Sequence, residues 1–251
     1  MRLHRFFITQ ALSREGEFMV TNENLLNQWR NVLRMVAGDK AIIFDGSGDE
    51  ALCEFKTLDK KKATLAVLER KAGLVPAREV TLFMALIKKD NFELVLEKAT
   101  ELGVSHIVPV ECARSEKKGI NRARSEKILR EAAEQSGRAT VPILDEVLRA
   151  PDIFKKYTTP LVVFDPMGGE SAREFFVKDS PSQTLQHKAC EGQSFTGILT
   201  TPIGVLIGPE GGFTDEELAF FKQNNIPILT TGPTILRAET AAIVALTLAL
   251  V

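Results

Sequence analysis

Cysteine is scarce in this chain of 251 residues, and the three present, Cys53, Cys112 and Cys190, stand too far apart to match any metal-ligand spacing. Their odd, sparse count suits a reducing compartment. Histidine is equally thin: His4, His106 and His187 are scattered and complete no ligand set, so no metal is expected. The opening residues, Met1-Arg2-Leu3-His4-Arg5-Phe6-Phe7, hold no apolar run long enough for a signal peptide. The run that ends the chain, Ala241 to Val251, is apolar except for Thr247 and too short to span a bilayer. A cytoplasmic protein without membrane attachment is expected. Net charge is also lacking: the formal value of −1 argues nothing about nucleic acid. With 44% hydrophobic and 26% charged residues the composition favours neither disorder nor a membrane class. The length accommodates one large or two modest domains.

The distribution of charge says more than its sum. Lys plus Arg against Asp plus Glu is 12 to 10 in residues 1–74, 13 to 12 in 75–150, and 7 to 11 in 151–251. A nucleic-acid surface is therefore expected toward the N-terminal part. The densest patch is Arg114 to Arg124, where Arg114, Lys117, Lys118, Arg122 and Arg124 face only Glu116. No aromatic residue is interleaved, so it offers phosphate contact but no stacking platform.

Residues 1–74 alternate as short strands (Arg2–Ile8, Glu17–Val20, Lys40–Phe44, Ala51–Leu58 and Ala63–Leu68), with helical apolar spacing over Asn22–Val36. The pattern is that of a small β-barrel. Gly73 and Pro76 mark a linker over Lys71–Arg78. Strand Val80–Ile87, helix Asn91–Leu102 stopped by Gly103, and strand Ser105–Val110 then form a βαβ unit, which requires a parallel sheet. A further helix is expected over Glu126–Gly137. Residues Lys178–Pro202 show no periodicity and read as a surface insertion.

The most informative stretch is Ile203–Val251. Strands Gly204–Ile207 and Pro227–Leu229 each open into a glycine turn running toward a helix. The first turn is Gly208-Pro209-Glu210-Gly211-Gly212-Phe213, closed by Thr214 with Glu217 placed to complete a capping box. The second is Thr230-Thr231-Gly232-Pro233-Thr234, leading into Ile235-Leu236-Arg237-Ala238-Glu239-Thr240. Glycines after adjacent parallel strands let backbone groups approach a ligand, so a small-molecule site is expected there. Strand Leu161–Phe164, ending in Asp165-Pro166-Met167-Gly168-Gly169, supplies a third wall. Neither turn carries the Lys-Ser/Thr pair of a P-loop, which excludes that class of nucleotide hydrolase. The helix from Ala241 lacks a polar face and needs cover on all sides, from the core or from a second copy of the chain.

Four motifs in order, Lys98-Ala99-Thr100-Glu101-Leu102-Gly103-Val104, Glu134-Gln135-Ser136-Gly137-Arg138, the Ile207–Phe213 loop and Ile235–Ala241, resemble the ribosomal RNA small subunit methyltransferase E family over the whole chain. The resemblance implies a PUA-like β-barrel that binds RNA over residues 1–74. It implies a SPOUT-type α/β domain over 75–251, with a parallel sheet and a C-terminal trefoil knot. The implied activity is S-adenosylmethionine-dependent methylation of N3 of a uridine in 16S ribosomal RNA, by a homodimer joined through the C-terminal helix. Gly208, Glu210, Gly211, Gly212, Leu229, Gly232, Ile235, Leu236 and Arg237 are implied to hold the donor. Arg237, Glu239 and Glu210 are the implied catalytic groups: Arg237 stabilises charge on the uracil, and a carboxylate holds Arg237 or takes the N3 proton. Arg2, Arg5, Arg34 and Arg138 join the basic patch as implied RNA contacts. Two positions, Gln28 and Thr234, depart from residues common in the family. Another SPOUT activity, such as 2′-O-ribose methylation, and a non-catalytic RNA-binding protein are the alternatives.

Overall fold

The computed structural model describes residues 3–116, 118–166, 168–178 and 201–250. Arg2, Lys117, Cys190 and nearly all of the expected surface insertion lie outside these. By contacts the chain divides into one unit of residues 1–75 and 133–141 and a second of 76–132 and 142–251.

In the first unit β1 (His4–Phe7), β2 (Glu17–Val20), β3 (Lys40–Phe44), β4 (Asp49–Leu58) and β5 (Ala63–Ala72) form one sheet in the order β1-β3-β4-β5-β2. β1 runs parallel to β3 and the remaining pairs are antiparallel. Two register irregularities bend the long β4, allowing the sheet to wrap a single core. At its centre Trp29 is fully buried, with Phe6 and Phe55 edge-on at centroid distances of 5.5 and 5.0 Å.

The helix expected over Asn22–Val36 is shorter. Helix α1 (Glu23–Asn27) starts on the Asn22 cap, whose Oδ1 accepts from Leu25 N at 3.1 Å. One wide turn follows over Gln28–Val32, and at Arg34 the backbone flips to φ 55°, which ends it.

The second unit holds the parallel sheet that the βαβ pattern requires. Its strands are β6 (Val80–Ala85), β7 (His106–Glu111), β8 (Ile143–Leu144), β10 (Leu161–Phe164), β11 (Glu170–Ser171), β12 (Ile203–Ile207) and β13 (Ile228–Thr230), in the order β11-β13-β10-β12-β6-β7-β8. A two-residue β9 (Leu148–Arg149) also pairs with β7. β6 and β12 are buried at every position, as expected where helices cover both faces. The helices are α2 (Lys89–Leu102), α3 (Arg122–Ser136), α4 (Ile153–Lys156), α5 (Ala172–Lys178), α6 (Asp215–Gln223) and α7 (Ala238–Leu250). α2 stops at Gly103, in the left-handed region at φ 111°. α3 starts four residues before the expected Glu126, because Asn121 Oδ1 caps it by accepting from Arg124 N at 3.1 Å. Arg122 and Arg124 are therefore helical residues. α7 packs on α2, β12 and β6, which buries Ala242, Ala245, Leu246 and Ala249.

Candidate active site

The loops leaving the carboxyl ends of the adjacent strands β13, β10 and β12 converge on a cavity of about 270 Å³. Phe164, Ile207, Leu229 and Leu236 give it apolar walls, while Gly208 and Gly212 expose backbone. A Cβ on Gly208 would lie 2.9 Å from the Phe213 ring, and Gly212 sits at φ +67°, so glycine is needed at both for different reasons. The capping box forms as the sequence predicts: Thr214 N donates to Glu217 Oε2 at 2.8 Å and Glu217 N to Thr214 Oγ1 at 3.2 Å. It starts α6 directly behind the loop.

Of the residues expected to hold a donor, Gly208, Glu210, Gly212, Leu229, Ile235, Leu236 and Arg237 line this cavity, and Asp165 and Pro166 form the third wall. Gly211 and Gly232 do not line it. A Cβ on Gly211 would instead lie 3.2 Å from Arg114 Cβ, and Gly232 shapes its own turn, its carbonyl accepting from Thr230 Oγ1 at 3.1 Å. Phe213, Ala238 and Ala241 line the cavity without having been singled out from the sequence. Only the start of α7 at Ala238 puts Ala238 and Ala241, three residues apart, on one helical face.

The catalytic candidates separate. Arg237 is exposed on the cavity lip, and among the described residues no ion pair joins it to Glu210 or Glu239. Glu210 also lines the cavity, and its Oε1 accepts from Lys88 N at 3.2 Å. Glu239 is 7% exposed in the first turn of α7, does not line the cavity, and among the described residues its Oε2 meets no donor. Among the described residues, then, neither carboxylate holds Arg237: Glu239 is buried off the cavity lining and Glu210 is engaged with backbone.

The expected RNA contacts divide likewise. Arg138 is buried and the Arg5 side chain is only 10% exposed, which argues against phosphate contact at both. Arg5 pairs with Glu50, and Arg138 donates from Nε and Nη2 to Thr140 Oγ1 at 3.2 and 2.9 Å. Burial pulls the Arg138 guanidinium down to about 10. Glu134, in the same motif, has Oε1 accepting from Phe7 N at 2.9 Å. Arg122 is occupied by Glu126, Glu146 and the Leu144 carbonyl, and Arg124 by Glu93, so both reach phosphate only by giving up partners. Arg34 and Lys118 stand exposed. Arg114 is exposed too, but its Nη1 donates to the carbonyls of Gly211 at 3.0 Å and Phe213 at 3.1 Å.

Residues 75–250 match the RNA methyltransferase domain and residues 30–68 the RNA methyltransferase PUA domain. The ribosomal RNA small subunit methyltransferase E of Bacillus subtilis is 31% identical, with 97% of this chain and 94% of that protein covered. The chain belongs to the ribosomal RNA small subunit methyltransferase E family. Another of its relatives, from Rickettsia conorii, is 27% identical over 98% of this chain and 94% of its own. A crystal structure of the methyltransferase E of Neisseria gonorrhoeae bound to S-adenosyl methionine superposes with a TM-score of 0.80 at 25% identity, covering 98% of this chain and 95% of that one. Among the described residues no helix is long and apolar enough to cross a membrane, and no group of acidic, histidine or cysteine side chains could hold a metal.

Proposed function

We propose that this protein transfers a methyl group from S-adenosylmethionine to N3 of a uridine in 16S ribosomal RNA, as a cytoplasmic homodimer. The observation carrying this reading is the cavity at the ends of β10, β12 and β13, apolar within, glycine-walled, and with the Arg237 guanidinium at its lip. The family name and the S-adenosyl methionine held by the Neisseria gonorrhoeae relative support the donor and the RNA.

The cavity fits such a donor. Its volume is near the lower bound of sites for ligands of that size, which suits a bent ligand with its reactive end at the mouth. Leu229, Ile235 and Leu236 supply apolar faces for an adenine, and the glycine turns supply backbone donors and acceptors. When bound, the sulfonium supplies a methyl group that is already activated, so alignment accounts for most of the rate. What the chain must add is help for a weakly acidic imide. Arg237 stabilises the negative charge that develops on a uracil oxygen as N3 loses its proton. Glu210, the catalytic candidate carboxylate that lines the cavity, accepts that proton. N3 lies on the pairing edge, so the base must be unpaired or extruded. Arg34 and Lys118 contact backbone phosphate. The homodimer is supported by α7, whose Ile243, Val244, Leu248 and Leu250 remain half-exposed while its other face is buried.

The test is methylation of ribosomal RNA from a strain lacking this protein, followed by nuclease digestion and mass spectrometry. The product expected is 3-methyluridine. A methyl on a ribose oxygen, or none, overturns the reading.

A further inference from the structure

The sequence puts Arg114 among the phosphate contacts because it lies in the most basic segment of the chain. Its geometry says otherwise. From the end of β7 it reaches across to the Gly208–Phe213 loop and donates to two carbonyls of that loop, Gly211 at 3.0 Å and Phe213 at 3.1 Å. The residue before it is tied to the same place: Ala113 N donates to Glu217 Oε1 at 3.0 Å, while Glu217 Oε2 accepts from Thr214 N at 2.8 Å. One carboxylate thus caps α6 and fastens the foot of the basic segment. Gly211 completes the joint, since a Cβ there would lie 3.2 Å from Arg114 Cβ and push the two segments apart.

We infer that Arg114 is a positioning residue for the donor-binding loop, and not an RNA contact. The inference rests on the cavity being the donor site. A loop rich in glycine gains little order from its own side chains, and its carbonyls must be held from outside if Gly208 and Gly212 are to present backbone at fixed places. A guanidinium can bridge two carbonyls because its donors are set in a rigid fork. An ammonium has donors enough for both but is shorter in reach and turns freely on a flexible stem, so it does not hold the two carbonyls at fixed places. Charge alone is therefore not enough at this position, whereas for a phosphate contact it would largely suffice.

Calorimetry with S-adenosylmethionine alone, and RNA binding titrated over a range of salt, separate the two roles. Arg114→Lys and Arg114→Ala are both expected to weaken donor binding about tenfold, as loss of charge-assisted hydrogen bonds predicts. The slope of log affinity for RNA against log salt should stay at its wild-type value in both. Glu217→Gln can accept from Ala113 N or Thr214 N but not from both, and is expected to weaken the donor in the same direction. Wild-type donor binding in Arg114→Lys overturns the inference. So does a fall in the RNA salt slope of about 0.7 in Arg114→Ala, the value of one lost phosphate contact on single-stranded RNA. Amide exchange of residues 208–213 in the free protein adds a readout that needs no ligand. Faster exchange in Arg114→Ala is expected, and unchanged exchange overturns the inference. If the wild-type protein fails to bind the donor, it is the proposed function that falls, while the exchange result still decides whether Arg114 holds the loop.

Discussion

Arg5 Nη1 lies 2.8 Å from Glu50 Oε2, with the two side chains only 10% and 8% exposed. Arg5 Nη2 also donates to the Arg138 carbonyl at 3.3 Å, and its guanidinium stands 5.3 Å from the centre of the Phe44 ring. This is an ion pair built into the first unit. Removing Arg5 leaves the buried Glu50 carboxylate with Lys71 Nζ at 3.5 Å as its remaining cation, so Arg5→Ala is expected to cost somewhat less than the roughly 3–5 kcal/mol of a buried charge left wholly unpaired, read in urea unfolding. RNA affinity, measured where the variant remains folded, should keep its salt dependence. A loss of RNA affinity without a loss of stability would return Arg5 to the surface.

Among the described residues no anionic side chain pairs with Arg237, and its guanidinium stands exposed at the cavity, placed to meet a developing negative charge. Arg237→Ala should lower kcat by about 10² to 10³, the usual effect of deleting one donor to such a charge. Donor affinity from calorimetry should change little. If donor binding falls while kcat holds, Arg237 is part of the donor site and not of the chemistry.

Arg34 occupies the left-handed region at φ 55°, which costs a non-glycine residue roughly 1 kcal/mol. Arg34→Gly is therefore expected to stabilise the first unit by up to about 1 kcal/mol while weakening RNA binding, and Arg34→Ala to weaken RNA binding without the gain. Lys118→Ala should lower the salt slope by about 0.7, as one phosphate contact requires. Unchanged slopes in both alanine variants would place the RNA surface elsewhere.

Two adjacent glycines in the turn after β10 make a paired control on Leu229, which lines the cavity. A Cβ at Gly168 would sit 2.8 Å from the backbone C and O of Leu229, whereas at Gly169 it would meet nothing within 4 Å. Backbone in a parallel strand cannot swing aside, so Gly168→Ala should destabilise by about 1–3 kcal/mol and weaken donor binding. Gly169→Ala should be near wild type in both thermal unfolding and calorimetry. Equal behaviour of the two would mean the wall is pliable.

Cys53 and Cys112 have thiols pushed up to about 12 by burial, with Glu217 adding to the rise at Cys112. Both stay protonated at neutral pH, so in a Cys190→Ser background neither should react with iodoacetamide at pH 8 until the protein is unfolded. The unfolded thiols ionise near 9 while the folded ones do not. Their contribution to stability is thus whole below pH 9 and lost as pH rises toward 12. Rapid labelling of the native protein at pH 8 would contradict the burial.

Local signals carried much of this molecule. The strand alternation of the first unit, the βαβ spacing, the Gly103 stop and the Thr214 capping box all depend on residues within a few positions of one another, and they recur in the structure where the sequence puts them. The cavity walls were legible for the same reason: each is a glycine turn directly after a strand. What failed were judgements that turn on distant partners. Arg5, Arg138 and Arg114 look alike as exposed cations in the sequence, yet Arg5 meets Glu50, Arg114 meets the Gly211 and Phe213 carbonyls, and Arg138 is buried by residues brought over it from elsewhere in the chain. Glu239 and Glu210 look equally placed beside Arg237 until the start of α7 is known.

By itself, then, the sequence determined most of the longer elements, the parallel sheet and the three turns that meet at its carboxyl end, because periodicity, capping and backbone freedom are properties of neighbouring residues. Only the tertiary structure decided which charges remain free for RNA and which hold the protein together. That depends on what a long, flexible side chain meets across the fold, often a hundred residues away, and burial beside such a partner changes what the charge can do.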